Sequence, residues 1–172
     1  MYNIENETLK TKLSEYSFHH HIQDIDTISK NLRTGFAEEA SFWGSPAYMI
    51  AESVMNSTEV RVLYLNDEPY AVFGIIESKT PDEAYPWMMV SNVKANAQQI
   101  KFMLAEASMY LTLWSKRFGS LIVYPWEKNE AGIKFCNAVG FEESRVLKPI
   151  EGYNAMHDIN MKLTPMIYHL PL

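Results

Sequence analysis

Apolar positions recur along this chain in two periods, and the switches between them lay out its elements. Ile25, Ile28 and Leu32 stand three and four residues apart behind Asp24, so residues 24–33 read as an amphipathic helix with a carboxylate near its positive end. Residues 16–22 read as a first strand, and residues 1–15 as a polar arm. Helical spacing returns over residues 36–56, broken at Gly44, Ser45 and Pro46. Residues 59–65 alternate, with Val60, Val62 and Tyr64 set against Arg61 and Leu63, which predicts a strand. Asn66 and Asp67 supply a hairpin turn, and the β-branched run 69–76 is the returning strand. After a polar loop, 85–90 reads as the next strand.

The longest helical signal covers residues 97–118. Ile100, Met103, Leu104, Ala107, Leu111 and Trp114 mark its broad buried face, and Gly119 stops it. A short buried strand follows at 121–124, then a helix after Asn129, then strands at 141–147 and 155–161. Residues 163–172 are apolar and carry Pro165 and Pro171, so they read as an extended tail that packs on its own domain or docks on a partner. Helices and strands alternate without a linker or a repeat. The expectation is one α/β domain over residues 1–172, with a mixed central sheet flanked by helices.

Composition narrows the function classes. At 172 residues and 47% hydrophobic, the chain is long and apolar enough for a sizeable core. A net charge of -6 without a basic run excludes nonspecific nucleic-acid binding. No apolar run approaches the roughly 20 residues of a membrane span. The single cysteine, Cys136, allows neither an internal disulfide nor a cysteine-based zinc site, and it points to a reducing compartment. His19, His20 and His21 on a strand would alternate between faces, so an ordinary strand is the better reading than a metal site. Asp24, Asp26, Glu38 and Glu39 read as solvated helix-face carboxylates.

The stretch NEAGIKFCNAVGF at residues 129–141 is the most informative part of the chain. Asn129 can cap a short helix, Ile133, Cys136 and Val139 form its apolar stripe, and Gly140 can end it in the left-handed conformation. An asparagine followed eleven and twelve residues later by Gly-Phe resembles the C-terminal half of the GNAT acyltransferases. The resemblance implies the GNAT fold, with a splayed strand pair for a pantetheine arm. It also implies a glycine-rich turn for the pyrophosphate of coenzyme A, and a tyrosine that protonates the leaving thiolate.

Two of those parts are missing. The segment before the long helix, SNVKANAQQ at residues 91–99, holds no glycine, and the Arg/Gln-x-x-Gly-x-Gly/Ala pattern of active families is absent. The usual tyrosine position is Cys136, which reads more simply as a small core residue than as a catalytic thiol. Tyr85-Pro86-Trp87 and Tyr124-Pro125-Trp126 fall on neighbouring strands, where their rings either line the cleft or plug it.

Four segments together also resemble a small GNAT-like family of short-tailed bacteriophages, the internal virion protein A or phage acyltransferase-like family. They are DTISKNLR at 26–33, EPYAVFGI at 68–75, PWMMVS at 86–91, and the Asn129 stretch. That resemblance implies a non-enzymatic protein that assists virion or internal-core assembly by binding other phage proteins. Its place would be the host cytoplasm during infection and the virion, with no cofactor and no metal. The alternative it leaves open is an N-acyltransferase that uses acetyl-CoA on a protein or small amine. Met89, Val90, Ser91, Asn96, Ala97, Gln98 and Asn129 would then hold the donor, with Cys136 beside the thioester and Glu127 or a water as base. A host-directed inhibitor on the same scaffold is a third reading.

Overall fold

The computed structural model describes residues 11–12 and 18–169. Strand β1 (Thr11–Lys12) is followed by helices α1 (Phe18–Lys30), α2 (Thr34–Ser41) and α3 (Pro46–Asn56). Strands β2 (Glu59–Leu65), β3 (Glu68–Glu77) and β4 (Glu83–Val90) lead to the long helix α4 (Ala97–Phe118). Then come β5 (Ser120–Val123), α5 (Glu130–Ala138), β6 (Phe141–Glu143), β7 (Ile150–Asn154), β8 (Ile159–Leu163) and β9 (Met166–Tyr168). Seven strands form one sheet in the order β1-β2-β3-β4-β5-β9-β6, and β7 and β8 form a separate hairpin. Every neighbouring pair is antiparallel except β4 and β5.

The alternation of the strands sets the two layers. Val60, Val62 and Val72 pack with Ile25, Ile28, Ile50 and Val54 of α1 and α3 on one face. Ile75, Leu121 and Phe141 pack with Tyr110, Leu111, Trp114 and Phe118 of α4 on the other. Local chemistry fixes the joints. Ser45 caps α3 by accepting from the Tyr48 amide, with Pro46 at the first helical position. Asn66 and Asp67 both take positive φ, +53° and +63°, the turn that matches strand twist in a two-residue hairpin.

Four expectations need correction. Residues 18–22 are helical, not a strand: α1 begins at Phe18, so His19, His20 and His21 belong to a helix. Tyr16 and Ser17, like most of the polar arm at 1–15, lie outside the described residues. Residues 155–158 turn the β7–β8 hairpin instead of opening a strand: the Asn154 side-chain carbonyl accepts from the amides of Met156 and His157, and Asp158 takes φ +52°. The apolar tail packs on its own domain as strand β9, inserted between β5 and β6 with Met166 and Tyr168 buried. Pro165 sits just before β9, where no ladder amide is needed. The strand expected at 141–147 ends at Glu143, where the Ser144 hydroxyl turns the chain by accepting from the Val146 and Leu147 amides.

Candidate functional site

Strands β4 and β5 pair only at Glu83–Ser120 and Ala84–Leu121. Beyond those two pairs they diverge. Pro86 and Pro125 each remove an amide from the stretch where pairing would otherwise continue. A cleft of about 260 Å³ opens in the gap, walled by Pro86 to Val90 of β4 and by Val123, Tyr124 and Pro125. Trp87 packs toward α1 and α3, whereas Met88 and Phe73 pack toward the α4 side. Side chains from both faces of the sheet thus line the cleft, joined by Phe36, Glu39 and Trp43 of the α2 region and by Met103, Tyr110, Phe135 and Cys136 of α4 and α5. Of the aromatic residues seen in the sequence, Trp87 and Tyr124 line this cleft; Tyr85 and Trp126 do not, and Trp126 is buried against the β7–β8 hairpin.

At the centre of the cleft wall, Asn129 joins α2 to α5. Its side-chain carbonyl caps α5 by accepting from the Gly132 amide at 3.1 Å, and its Nδ2 donates to Glu39 Oε2 at 2.8 Å. The Trp126 amide donates to the same oxygen at 3.0 Å. Among the described residues nothing donates to Glu39 Oε1. Burial raises the Glu39 pKa, and the two donors offset part of that rise. Glycines make room for this contact. A Cβ at Gly35 would lie 2.6 Å from Asn129 Oδ1, and one at Gly132 would lie 2.7 Å from Nδ2.

Asn129→Ala removes a cap worth about 1 kcal/mol and one charge-assisted bond to a buried carboxylate, a total of about 2–4 kcal/mol. Gly132→Ala forces the same side chain aside at about 1–3 kcal/mol. Urea titration reads both as a lower midpoint at constant slope; unchanged midpoints would contradict this bridging role.

The residues nominated from sequence fall into three places. Met89, Val90 and Cys136 line the cleft. Burial pushes the Cys136 thiol up to about 12, and the nearby Glu39 charge adds to the effect, so it rests as a thiol. Ser91 is buried at the end of β4, where its carbonyl accepts from Arg33 Nε at 3.2 Å and its hydroxyl has no partner among the described residues. Asn96 closes a capping box on α4: its Oδ1 accepts from the Gln99 amide at 2.9 Å, and Gln99 Oε1 accepts from the Asn96 amide at 2.9 Å. The exposed amides of Ala97 and Gln98 keep no partner among the described residues. Val93 and Ala95 of the glycine-free loop pack against the core below it. Glu127 is exposed and off the cleft. No group of three His, Cys, Asp or Glu among the described residues could hold a metal. Nor is any described helix long and apolar enough to cross a membrane.

Glu39 is the residue that sequence reasoning missed, having read it as a solvated carboxylate. The signal was its place three residues after Phe36, on the stripe of α2 that Phe36 and Ala40 bury.

The fold has counterparts among solved structures. RimL, a ribosomal L7/L12 α-N-protein acetyltransferase solved with coenzyme A, superposes with a TM-score of 0.63 at 11% identity, over 94% of each chain. The fold is that of the GNAT acetyltransferases. YncA from Salmonella typhimurium, solved with acetyl-CoA, gives 0.61 at 13% identity over 95% of each chain. A GNAT-family acetyltransferase from Streptococcus pneumoniae gives 0.56 at 13% identity, over 94% of this chain and 99% of its own. No family model and no curated protein matches the sequence. The GNAT part of the resemblance thus holds at the level of the fold, and its phage part finds no support in these structures.

Proposed function

We propose that the chain is an acyl-CoA-dependent N-acyltransferase, with Glu39 as its base. The observation that carries this reading is the open V between β4 and β5, with a cleft lined from both faces of the sheet. A virion-assembly protein on this fold predicts a filled or shallow cleft, so the open one favours the enzyme. The cleft and the free amides of Ala97 and Gln98 suit an acyl-CoA, with the pantetheine arm between α4 and α5 and phosphate at the start of α4. Asn96 and Gln99 spend their own first-turn amides on each other, so the phosphate end is held by fewer donors than a glycine-rich turn provides.

When bound, an acyl-CoA supplies a thioester carbon; transfer to an amine forms a C–N bond, breaks a C–S bond and releases one proton from nitrogen. Glu39 is placed to take that proton on Oε1, the oxygen that Asn129 and Trp126 leave free. Its raised pKa makes it a stronger base than a surface carboxylate. Asn129 orients it. Cys136 has no part in this scheme. Burial pushes its thiol up to about 12, which makes it a weak acid.

Incubating the protein with acetyl-CoA and a panel of amines, and following free thiol release, tests the reading; amine-dependent thiol release is the expected result, and none with a folded protein overturns it. Cys136→Ala should keep the wild-type rate within about twofold, equivalent to about 0.4 kcal/mol in barrier. A drop of a hundredfold would restore the thiol to the mechanism.

A further inference from the structure

The side of the cleft that leads to Glu39 has a chemistry of its own. Phe36, Trp43, Met49 and Trp87 line it, and Glu39 is its one charged group; the other carboxylate on the cleft, Glu106, belongs to α4. No lysine or arginine lines the cleft. The rings are held in place. Trp87 Nε1 donates to Ser57 Oγ at 2.7 Å, and the Trp43 ring stands edge-on to Phe42 at 4.8 Å. Trp43 is also 48% exposed, so it forms the rim as well as the wall.

These walls discriminate. A carboxylate or phosphate on the acceptor would meet a like charge and no cation. A sugar or a second ammonium would give up more water than the cleft's few polar groups, Ser53, Tyr124, Asn129 and Glu106 among them, return. A single ammonium gains the Glu39 carboxylate in a wall that also holds Trp43 and Trp87, and it gives up one proton to solvent before the neutral amine attacks. A net charge of -6 further favours a cation.

We infer that the acceptor is a small primary amine on an aromatic or branched aliphatic body, singly charged and without a carboxylate. The inference rests on the acyl-transfer reading above, and it names the acceptor class of that site.

Calorimetry with phenethylamine, phenylalanine, glucosamine and spermidine tests it, beside a separate titration with acetyl-CoA. Phenethylamine and phenylalanine differ by one carboxylate, so the pair isolates the missing cation in the wall. The expected result is phenethylamine binding at least tenfold tighter than the other three. Trp43→Ala should weaken it at least tenfold. Glu39→Gln should weaken it likewise, yet leave the neutral analogue 2-phenylethanol unchanged; circular dichroism reports that both variants fold. If acetyl-CoA binds and phenethylamine is no better than phenylalanine, the inference falls and the acyl-transfer reading stands. If phenethylamine binds selectively and acetyl-CoA does not, the amine site stands and the transfer reading falls. Acylation of a peptide N-terminus or lysine, with none of phenethylamine, also overturns the inference.

Discussion

A chain that lacks residues 164–172 does not fold. Those residues supply β9, which pairs with β5 at Leu121–Tyr168 and Val123–Met166, and with β6 at Phe141–Tyr168 and Glu143–Met166. Among the described residues β6 has no other strand partner, so its loss follows. Met166 and Tyr168 are both buried, and each buried side chain of that size contributes about 1.5–3 kcal/mol. Tyr168 also shares a hydrogen bond with Thr112 of α4 at 3.1 Å and packs its ring on Phe141 at 5.5 Å. The backbone bonds from Ser144 to Pro165 and from Thr164 to Pro125 go as well. Together these contacts approach the ~5–15 kcal/mol that a domain has in total. The truncated protein should be insoluble or show no cooperative thermal transition. A sharp transition within a few degrees of the full chain would place β9 outside the fold.

Glu39→Gln separates the site from the scaffold. Glutamine keeps a side-chain oxygen for the Trp126 amide and for Asn129 Nδ2, so the joint between α2 and α5 survives. It cannot take a proton at neutral pH. Acyl transfer should fall by about 10²–10³, the usual worth of a general base. Stability should move the other way. The folded pKa of Glu39 lies above its ordinary 4.5, so between the two values the native state binds more protons than the unfolded one. Wild-type stability therefore declines as pH rises from about 4.5 through the raised value, and the glutamine variant lacks that decline. At pH 8 the variant should be at least as stable as the wild type. The wild-type rate should rise with pH along the same ionisation, with its acid limb above the ordinary carboxylate range. A variant that keeps its rate would remove Glu39 from the chemistry; one that melts earlier at pH 8 would make it structural.

Strong periodicity was enough to read most of the fold. Residues 97–118 carry a wide stripe closed by Gly119, and α4 has those bounds. The alternation of 59–65 and the turn at Asn66 and Asp67 gave β2 and its hairpin. Failures came where a pattern was short. Met166, Ile167 and Tyr168 are too few to show alternation, and two nearby prolines made them look like a tail. The site was half legible. Asn129 announced itself as a cap, but its second bond, to Glu39 ninety residues earlier, is a tertiary fact. Gly35 and Gly132 make room for it; neither sits in a left-handed conformation, and each is small for a packing reason. The loop before α4 holds no glycine, and there Asn96 and Gln99 close a capping box.

The central claim is that the gap between β4 and β5 receives an acyl-CoA. Titration of the purified protein with acetyl-CoA by calorimetry tests it most directly. Saturable binding near or below ~100 μM, about -5.5 kcal/mol, is the predicted result. No detectable heat at millimolar ligand, with a cooperatively folded protein, would contradict it.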